Sequence, residues 1–464
     1  MKVDPSIFKA YDIRGVNDSQ LSNELAFHVG KGFGTFLRRK GTLDCLICRD
    51  TRVTSKDYQD NVTRGLLSVG VNVHDMGLAL ASHMYHARHY YHIDGGVMVT
   101  ASHNPPNYNG YKLTSGLNAI SSDEVQQVRE LIEREDYETG AGVLADKSEA
   151  NVVYYEEIKK RIKLLKPLKI VVDAGHQTPA LFIPQFLRDL GCEVIVLHEN
   201  IDSSFPAGVP DPVNVEFMKY AQEAVVKNKA DVGIVMDADG DRGGMIDDKG
   251  QIWLGDMVLD LLIRDFLPRR KGAKVIVEVK DSEIVVEDTK RLGGIPIFWK
   301  TGHALLDPKI HEEKALLCGE MSCHYWVTDD WYTFDDTPFA LMHALRIISE
   351  NSKSFSEIMA EIPKYPSTPE IRFKCPEDKM DQTVKEGVEY FAKACDKVVD
   401  VDGIRGYKDD GWFLLRRSNT QPLLSVRVEA KTVEGLENLK NFIGGFFKKF
   451  DYLNFDWDRQ YDVA

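Results

Sequence analysis

The stretch ADVGIVMDADGDR, Ala230 to Arg242, sets the frame for the whole chain. Apolar residues run unbroken from Val232 to Met236 except for one glycine, then give way at once to three alternating aspartates. A short apolar run bounded by a polar turn is the pattern of a strand buried on both faces. Two similar runs precede this one, and the same trio occurs three times. TLDCLICRD (42–50), SVGVNVHDMG (68–77) and GGVMVTASHNP (95–105) form the first. LKIVVDAGH (168–176), LGCEVIVLHEN (190–200) and ADVGIVMDADGDR (230–242) form the second. AKVIVEVKD (273–281), LGGIPIFWKTGH (292–303) and KALLCGEMSCH (314–324) form the third. In each trio a glycine leads the second strand, and the third strand ends in a polar loop unlike the others.

Such runs alternating with longer helical patterns predict parallel α/β units. The expectation is an α/β protein of three related domains with mixed sheets, over residues 1–147, 148–252 and 253–364, around one central cleft. A smaller α+β domain is expected over 365–464. Its entrance, KYPSTPEIRFKCPED, is rich in proline and charge and reads as a linker. RGYKDDGWFLLRRSNTQPLLSVRVEA (405–430) reads as two β-like runs with a turn between them, before the helix VEGLENLKNFIGGFFKKF.

Composition narrows the function. The 464 residues are 43% hydrophobic, enough for large cores. A net charge of −14 with no basic run argues against nucleic acid as a partner. No stretch of 18 apolar residues predicts a membrane span, and MKVDPSIFKAYDIRG carries no apolar signal core. Seven scattered cysteines read as buried thiols of a reducing cytoplasm. The Cys45–Cys48 pair lies in a strand-like run, where positions three apart face opposite ways, so it cannot clamp one metal.

In open α/β sheets ligands bind beyond the carboxyl ends of strands. Ser102 holds that place in the first unit, Asp237 to Arg242 in the second and Gly319 to His324 in the third. Asp237, Asp239 and Asp241 alternate in an extended loop, so their carboxylates can converge on a hard divalent cation. An EF-hand is excluded, because its sixth position needs glycine and holds Arg242, and its twelfth needs glutamate and holds Asp248. Arg242 can offer a planar fork to phosphate. In the fourth unit Arg416-Arg417-Ser418-Asn419-Thr420-Gln421-Pro422 has the makings of a phosphate cradle, though also of an ordinary turn. Tyr11-Asp-Ile-Arg14-Gly15 reads as a short β-turn. His83, His86, His89 and His92 recur every three residues without a further ligand and read as partly exposed helix histidines.

T-A-S-H-N-P, D-A-D-G-D-R, G-E-M-S-C-H and R-R-S-N-T-Q-P, in this order, resemble the α-D-phosphohexomutase superfamily across essentially the whole chain. YDIRG and WKTGH fit as well. G-E-M-S-x-H is similar to the phosphomannomutase/phosphoglucomutase branch, whereas phosphoglucosamine mutases usually carry glutamine where Met321 stands. Ala101 and Cys323 replace common glycines, and Arg417 a common alanine. The resemblance implies interconversion of hexose 1-phosphate and 6-phosphate, for mannose and glucose, through a hexose 1,6-bisphosphate. Phosphoglucosamine mutase, a metal-dependent sugar phosphatase and a non-catalytic sugar-phosphate binder are the alternatives.

Under this resemblance Ser102 carries the phosphoryl group and binds one Mg²⁺ with Asp237, Asp239 and Asp241. His103, Lys112, Arg242 and His303 join Ser102 in catalysis. Tyr11, Arg14, Lys280, Glu320, Ser322 and His324 contact the sugar phosphate. Arg416, Ser418, Asn419 and Thr420 anchor the phosphate that is not reacting. The implied partners are small sugar phosphates, with no nucleic acid and no membrane, for a cytoplasmic monomer or homodimer.

Overall fold

Gly70, Gly191 and Gly293 adopt φ of 81°, 85° and 85°, a left-handed conformation open to glycine at little cost. Each donates its N–H to the carbonyl three residues back, on Leu67, Arg188 and Lys290, and so closes a helix before the next strand begins. One helix-ending device therefore recurs in all three trios. The computed structural model describes residues 1–116, 118–418 and 422–457.

The three sheets share one topology. In the first, Gly95–Val99 and Asn72–Leu78 flank Asp44–Arg49 in parallel, and Tyr108–Ser115 pairs antiparallel outside Gly95–Val99. In the second, Val232–Met236 and Glu193–Leu197 flank Lys169–Asp173, with Gly243–Asp247 antiparallel outside. In the third, Leu317–Gly319 and Ile295–Trp299 flank Lys274–Glu278, with Tyr325–Val327 antiparallel outside. The third strand of each trio thus lies centrally and reverses through the polar loop at its end. Those loops, at residues 100–107, 237–242 and 320–324, meet in one cleft.

The second and third sheets share a continuous apolar core, which includes Val172, Ile234, Val275 and Val277. The helix Gly255–Phe266 adds Leu259 and Leu262 to it, both fully buried, each contributing about 1.5–3 kcal/mol of transfer free energy. No helix among the described residues is long and apolar enough to cross a membrane.

Four local readings are corrected. Tyr11–Gly15 is no β-turn: Asp12–Val16 is an edge strand, antiparallel to Tyr108–Ser115. The proline-rich entrance to the fourth unit contains the strand Ile371–Lys374, which pairs with Leu423–Ala430. The region 405–430 holds three strands, not two, because Asp409 at φ 55° lets Ile404–Lys408 fold back on Gly411–Arg417. Together with Lys397–Val399 these make an antiparallel five-stranded sheet, its core built with the helices Glu377–Phe391 and Val433–Phe447.

The fourth correction concerns the helix histidines. His83 and His86 are buried, while His92 ends the helix exposed at φ 56°. The helix Ala81–Tyr91 is covered by the helix Ala150–Arg161 and the segment 331–334, so aromatic rings from both enclose it. A three-residue spacing could not reveal that second layer.

Candidate active site

Ser102 occupies a strained position. Its φ is 47°, uncommon for any residue but glycine, asparagine or aspartate, and it is 3% exposed. The Thr100 hydroxyl accepts its N–H at 2.9 Å. Its own hydroxyl donates to Asp237 Oδ2 at 2.6 Å, across the junction of the first and second sheets, and lies 3.2 Å from His103 Nδ1.

The aspartate loop turns at Gly240, whose φ is 72° and where a Cβ would stand 2.8 Å from a methyl of Leu80. Its N-terminal strand and this turn bring the carboxylates of Asp237, Asp239 and Asp241 within 4.8 Å of one another, all buried. Asp239 Oδ2 accepts from Thr100 at 3.1 Å and from Lys112 Nζ at 2.7 Å, and Lys112 also bonds Asp241. Oδ1 of Asp239 and Oδ1 of Asp241 are buried without a hydrogen-bond partner among the described residues. Bare carboxylate oxygens out of water are costly, and a hard divalent cation is the group that satisfies them, so the residues fit Mg²⁺.

Burial, then the charges of Asp241 and Asp239, push Asp237 well above the usual carboxylate range. Burial works the same way on Asp241, but Lys112, His324 and Arg242 outweigh it and hold that residue low.

Arg242 follows this loop and links it to the third sheet. Its Nε donates to His324 Nε2 at 3.0 Å, and Nη1 lies 3.6 Å from Asp211. His324 Nδ1 meets Asp335 Oδ2 at 2.5 Å. Guanidinium can only donate, so Nε2 is the acceptor and the proton sits on Nδ1. Although burial opposes it, Asp335 and Asp241 favour a second ring proton. Taking one would set Nε2–H against the Arg242 donor, so protonation and this contact exclude each other.

The loop after Ile295–Trp299 completes the wall. Gly302, at φ 119°, donates its N–H to Glu320 Oε1 at 2.8 Å and caps the helix His303–Glu313. His303 packs edge-on to Tyr11 at 5.0 Å and lies 6.0 Å from the His324 ring. Desolvation, then Lys112, keeps His303 well below the ordinary histidine value. Desolvation does the same to His103, helped by Arg242 and Arg14. Burial and Asp12 raise Tyr11 to about 12. Arg14 donates to Asn104 Oδ1 and to Asp12 Oδ2, both at 2.6 Å.

The remaining candidates lie toward the fourth sheet. Lys280 is buried, 3.9 Å from Glu278 and 3.7 Å from Glu370. Burial first, and Glu320 next among the neighbours that raise it, bring Glu278 to about 7. Arg416 Nε donates to Asp402 at 2.9 Å, and the same oxygen accepts the Thr301 N–H at 3.2 Å, joining the fourth sheet to the cleft. Arg416 Nη2 is buried and has no hydrogen-bond partner among the described residues. Ser322 is partly exposed at the tip of its loop, and Ser418 donates its N–H to Leu423 O at 2.8 Å. Asn419 and Thr420 lie outside the described residues.

Three functional neighbours were missed from sequence: Arg52, which grips the Ser102 loop, Asp335 and Asp402. Arg52 follows the first strand end in RDTR, and that position was the available signal. Asp335 and Asp402 sit in unremarkable acidic runs.

Profiles of the phosphoglucomutase/phosphomannomutase alpha/beta/alpha domains I, II and III match residues 5–139, 146–250 and 254–365. The profile of the C-terminal domain matches residues 370–444. A phosphomannomutase/phosphoglucomutase of Pseudomonas aeruginosa is 34% identical over 447 residues, 96% of each chain. A phosphoglucomutase of Neisseria gonorrhoeae is 33% identical over 445 residues, 94% of this chain and 95% of that one. The crystal structure of a phosphoglucomutase/phosphomannomutase family protein from Burkholderia thailandensis matches with a TM-score of 0.91 at 32% identity, covering 98% of this chain and 100% of that one. With all four domain profiles in order and such relatives along nearly its whole length, the chain belongs to the phosphoglucomutase/phosphomannomutase family.

Proposed function

We propose that this protein is a phosphohexomutase that interconverts the 1-phosphates and 6-phosphates of glucose and mannose, with Ser102 as the phosphoryl carrier. The observation that carries the reading is the Ser102 hydroxyl bonded at 2.6 Å to Asp237, within an aspartate cluster that retains two bare buried oxygens.

In this reading phosphoserine gives its phosphoryl group to a sugar hydroxyl. The Oγ–P bond breaks, the sugar oxygen bonds phosphorus, and in net balance the proton lost by the sugar hydroxyl is matched by one gained at the freed Ser102 Oγ. The resulting bisphosphate turns over, and its other phosphate returns to Ser102 by the reverse step. Such transfers depend on positioning and charge stabilisation. Asp237, Asp239, Asp241 and the Ser102 phosphate would hold Mg²⁺, which supplies charge compensation at the transferred group.

Lys112 is clasped by two carboxylates that raise its proton affinity far above normal against burial, so it suits charge balance better than proton transfer. His303, kept neutral, is the better proton acceptor. Arg242 and His103 flank the transferred phosphate. Glu320, Ser322 and His324 read the sugar, with Tyr11, Arg14 and Lys280 along the wall. Arg416 and Ser418, with Asn419 and Thr420, anchor the second phosphate. The seven free thiols suit a reducing compartment.

A coupled assay of both 1-phosphates, with a trace of the matching bisphosphate, tests the reading. Formation of both 6-phosphates is expected. Release of inorganic phosphate in place of isomerisation would mean a phosphatase.

A further inference from the structure

The loop that carries Ser102 makes few bonds of its own. Between Ser102 and Tyr108 its backbone closes only two turns, Asn104 N–H to Ala101 O and Tyr108 N–H to Pro105 O, each at 3.0 Å. Asn107 O accepts the Asn17 N–H at 2.8 Å, and the side chain of Arg52, from the adjacent strand-end loop, holds four of the loop's carbonyls. Nη2 donates to Ser102 O at 2.7 Å and to Asn104 O at 2.6 Å. Nη1 donates to Pro105 O at 2.8 Å and to Tyr108 O at 2.9 Å. One guanidinium therefore satisfies four carbonyls, at the nucleophile and along the loop that follows it.

Arg52 is itself fixed. It is 3% exposed, and Asp50 Oδ2 lies 3.3 Å from its Nε. Asp50 Oδ1 accepts the Arg52 N–H at 3.0 Å and the Ser55 hydroxyl at 2.5 Å. The ring of Phe205, from the second domain, covers the guanidinium at 5.0 Å. The bonds and ion pair of Arg52 go to the loop carbonyls and to Asp50, not to the aspartate cluster or to Ser102 Oγ.

We infer that Arg52 is a positioning residue for phosphoryl transfer, holding the strained Ser102 backbone so that Oγ stays in line with Asp237 and the incoming hydroxyl. This rests on the mutase reading above. Two features of the geometry support it. Bonding at Ser102 O fixes the plane of the peptide that follows the nucleophile, and hence where Cβ directs Oγ. The bonds at Pro105 and Tyr108 fix the far side of the loop, so that it cannot rotate as a unit. A planar fork with five donors can do this, whereas an ammonium has three and no fixed directions. Loss of the fork frees Ser102 to relax from its left-handed conformation, and displacements near 1 Å cost about 10²-fold in rate.

The test is Arg52→Lys, which keeps charge and bulk. kcat is expected to fall about 100-fold, while KM for glucose 1-phosphate stays within about threefold, because the clamp does not touch the sugar. The single-turnover rate of phosphoryl transfer from isolated phosphoenzyme should fall as kcat does. Circular dichroism and thermal unfolding are measured on the same samples. Arg52→Gln, which keeps part of the fork without charge, should recover more of kcat than Arg52→Ala.

A kcat within twofold of wild type in Arg52→Lys overturns the inference. So does loss of activity in proportion to loss of folded protein, which marks a purely structural residue. Inactive wild-type enzyme would instead sink the mutase reading and leave the clamp's structural description standing, so the two failures are distinct.

Discussion

Ser102 Oγ and Asp237 Oδ2 are 2.6 Å apart, yet they belong to different sheets and are separated by 135 positions in sequence. The bond brings the proposed nucleophile to the carboxylates before any substrate arrives. Replacing its hydrogen by a phosphoryl group puts about −1.5 to −2 charge among three buried aspartates. Lys112 and Arg242 answer part of that charge, and a cation must answer the rest. Intact mass is expected to show a species heavier by one phosphoryl group, mapped to Ser102 by peptide analysis. Excess sugar monophosphate should partly remove it. A stable label on another residue would remove Ser102 from the centre of the chemistry.

The bare oxygens of Asp239 and Asp241 predict the response to metal. Chelation should abolish turnover, and Mg²⁺ should restore it. Mg²⁺ should also raise the unfolding temperature of wild type, because it binds the folded site alone. Asp239→Asn should retain the fold, respond to Mg²⁺ with a smaller thermal shift and lose activity by about 10²-fold or more. Full activity of that variant without added metal contradicts the site.

Acid should weaken the junction around His83 and His86. Burial, the largest effect on each, lowers them to about 3 and about 4. His83 is held by Asn151 and Tyr155, whereas both ring nitrogens of His86 are buried without hydrogen-bond partners among the described residues. His86 stacks on Trp331 at 5.2 Å, with Tyr90, Tyr154 and Tyr332 around it and Glu157, Arg161 and His89 as the charged or titratable groups nearby.

A histidine whose folded value is depressed favours the neutral form. Its contribution is whole above the unfolded value near 6.5 and is lost as pH falls toward the folded value. For His86 the cost at pH 5 is about 2 kcal/mol, and at pH 8 almost nothing. His86→Phe, which keeps the stack, should therefore raise the urea midpoint at pH 5 and leave it nearly unchanged at pH 8. Equal shifts at the two pH values would show packing rather than titration.

The legible parts were those with local signals. Glycine-led strands and apolar runs predicted three like sheets, because the left-handed turn and the doubly buried strand each impose composition over a few residues. The Asp237 to Asp241 alternation was legible because one loop supplies all three carboxylates. Arg52 was not, since its four acceptors are backbone carbonyls some fifty positions away, which leave no mark in composition. Asp335 and Asp402 act through His324 and Arg416, so their meaning appears only when separate domains meet. The burial of His83 and His86 was hidden for the same reason: their cover comes from residues 150–161 and 331–334. The strand at Asp12–Val16 was read as a turn because its partner, Tyr108–Ser115, lies nearly a hundred residues downstream.

Glu320 offers the final prediction, on specificity. Its carboxylate is buried at 2% exposure, and Oε1 already accepts the Gly302 N–H at 2.8 Å. That bond ties the orientation of Glu320 to the turn that launches His303, so the carboxylate is held before the sugar binds. A carboxylate is a pure acceptor with about four lone-pair sites, which leaves capacity for two adjacent sugar hydroxyls. If these are the 3- and 4-hydroxyls, they exchange places when the sugar turns over, and the one residue serves both half-reactions. Glucose and mannose differ only at carbon 2, which Glu320 would not touch. Neither epimer then leaves a buried polar group unpaired, and discrimination should be small. Galactose phosphates, inverted at carbon 4, should be poor substrates, because a mispaired buried hydroxyl costs roughly 1–3 kcal/mol. Glu320→Ala should lower kcat/KM on glucose and mannose phosphates by similar factors while leaving phosphorylated Ser102 in place. Damage to one epimer alone, or a wild-type preference for glucosamine phosphate over both, would show that a different group reads the sugar.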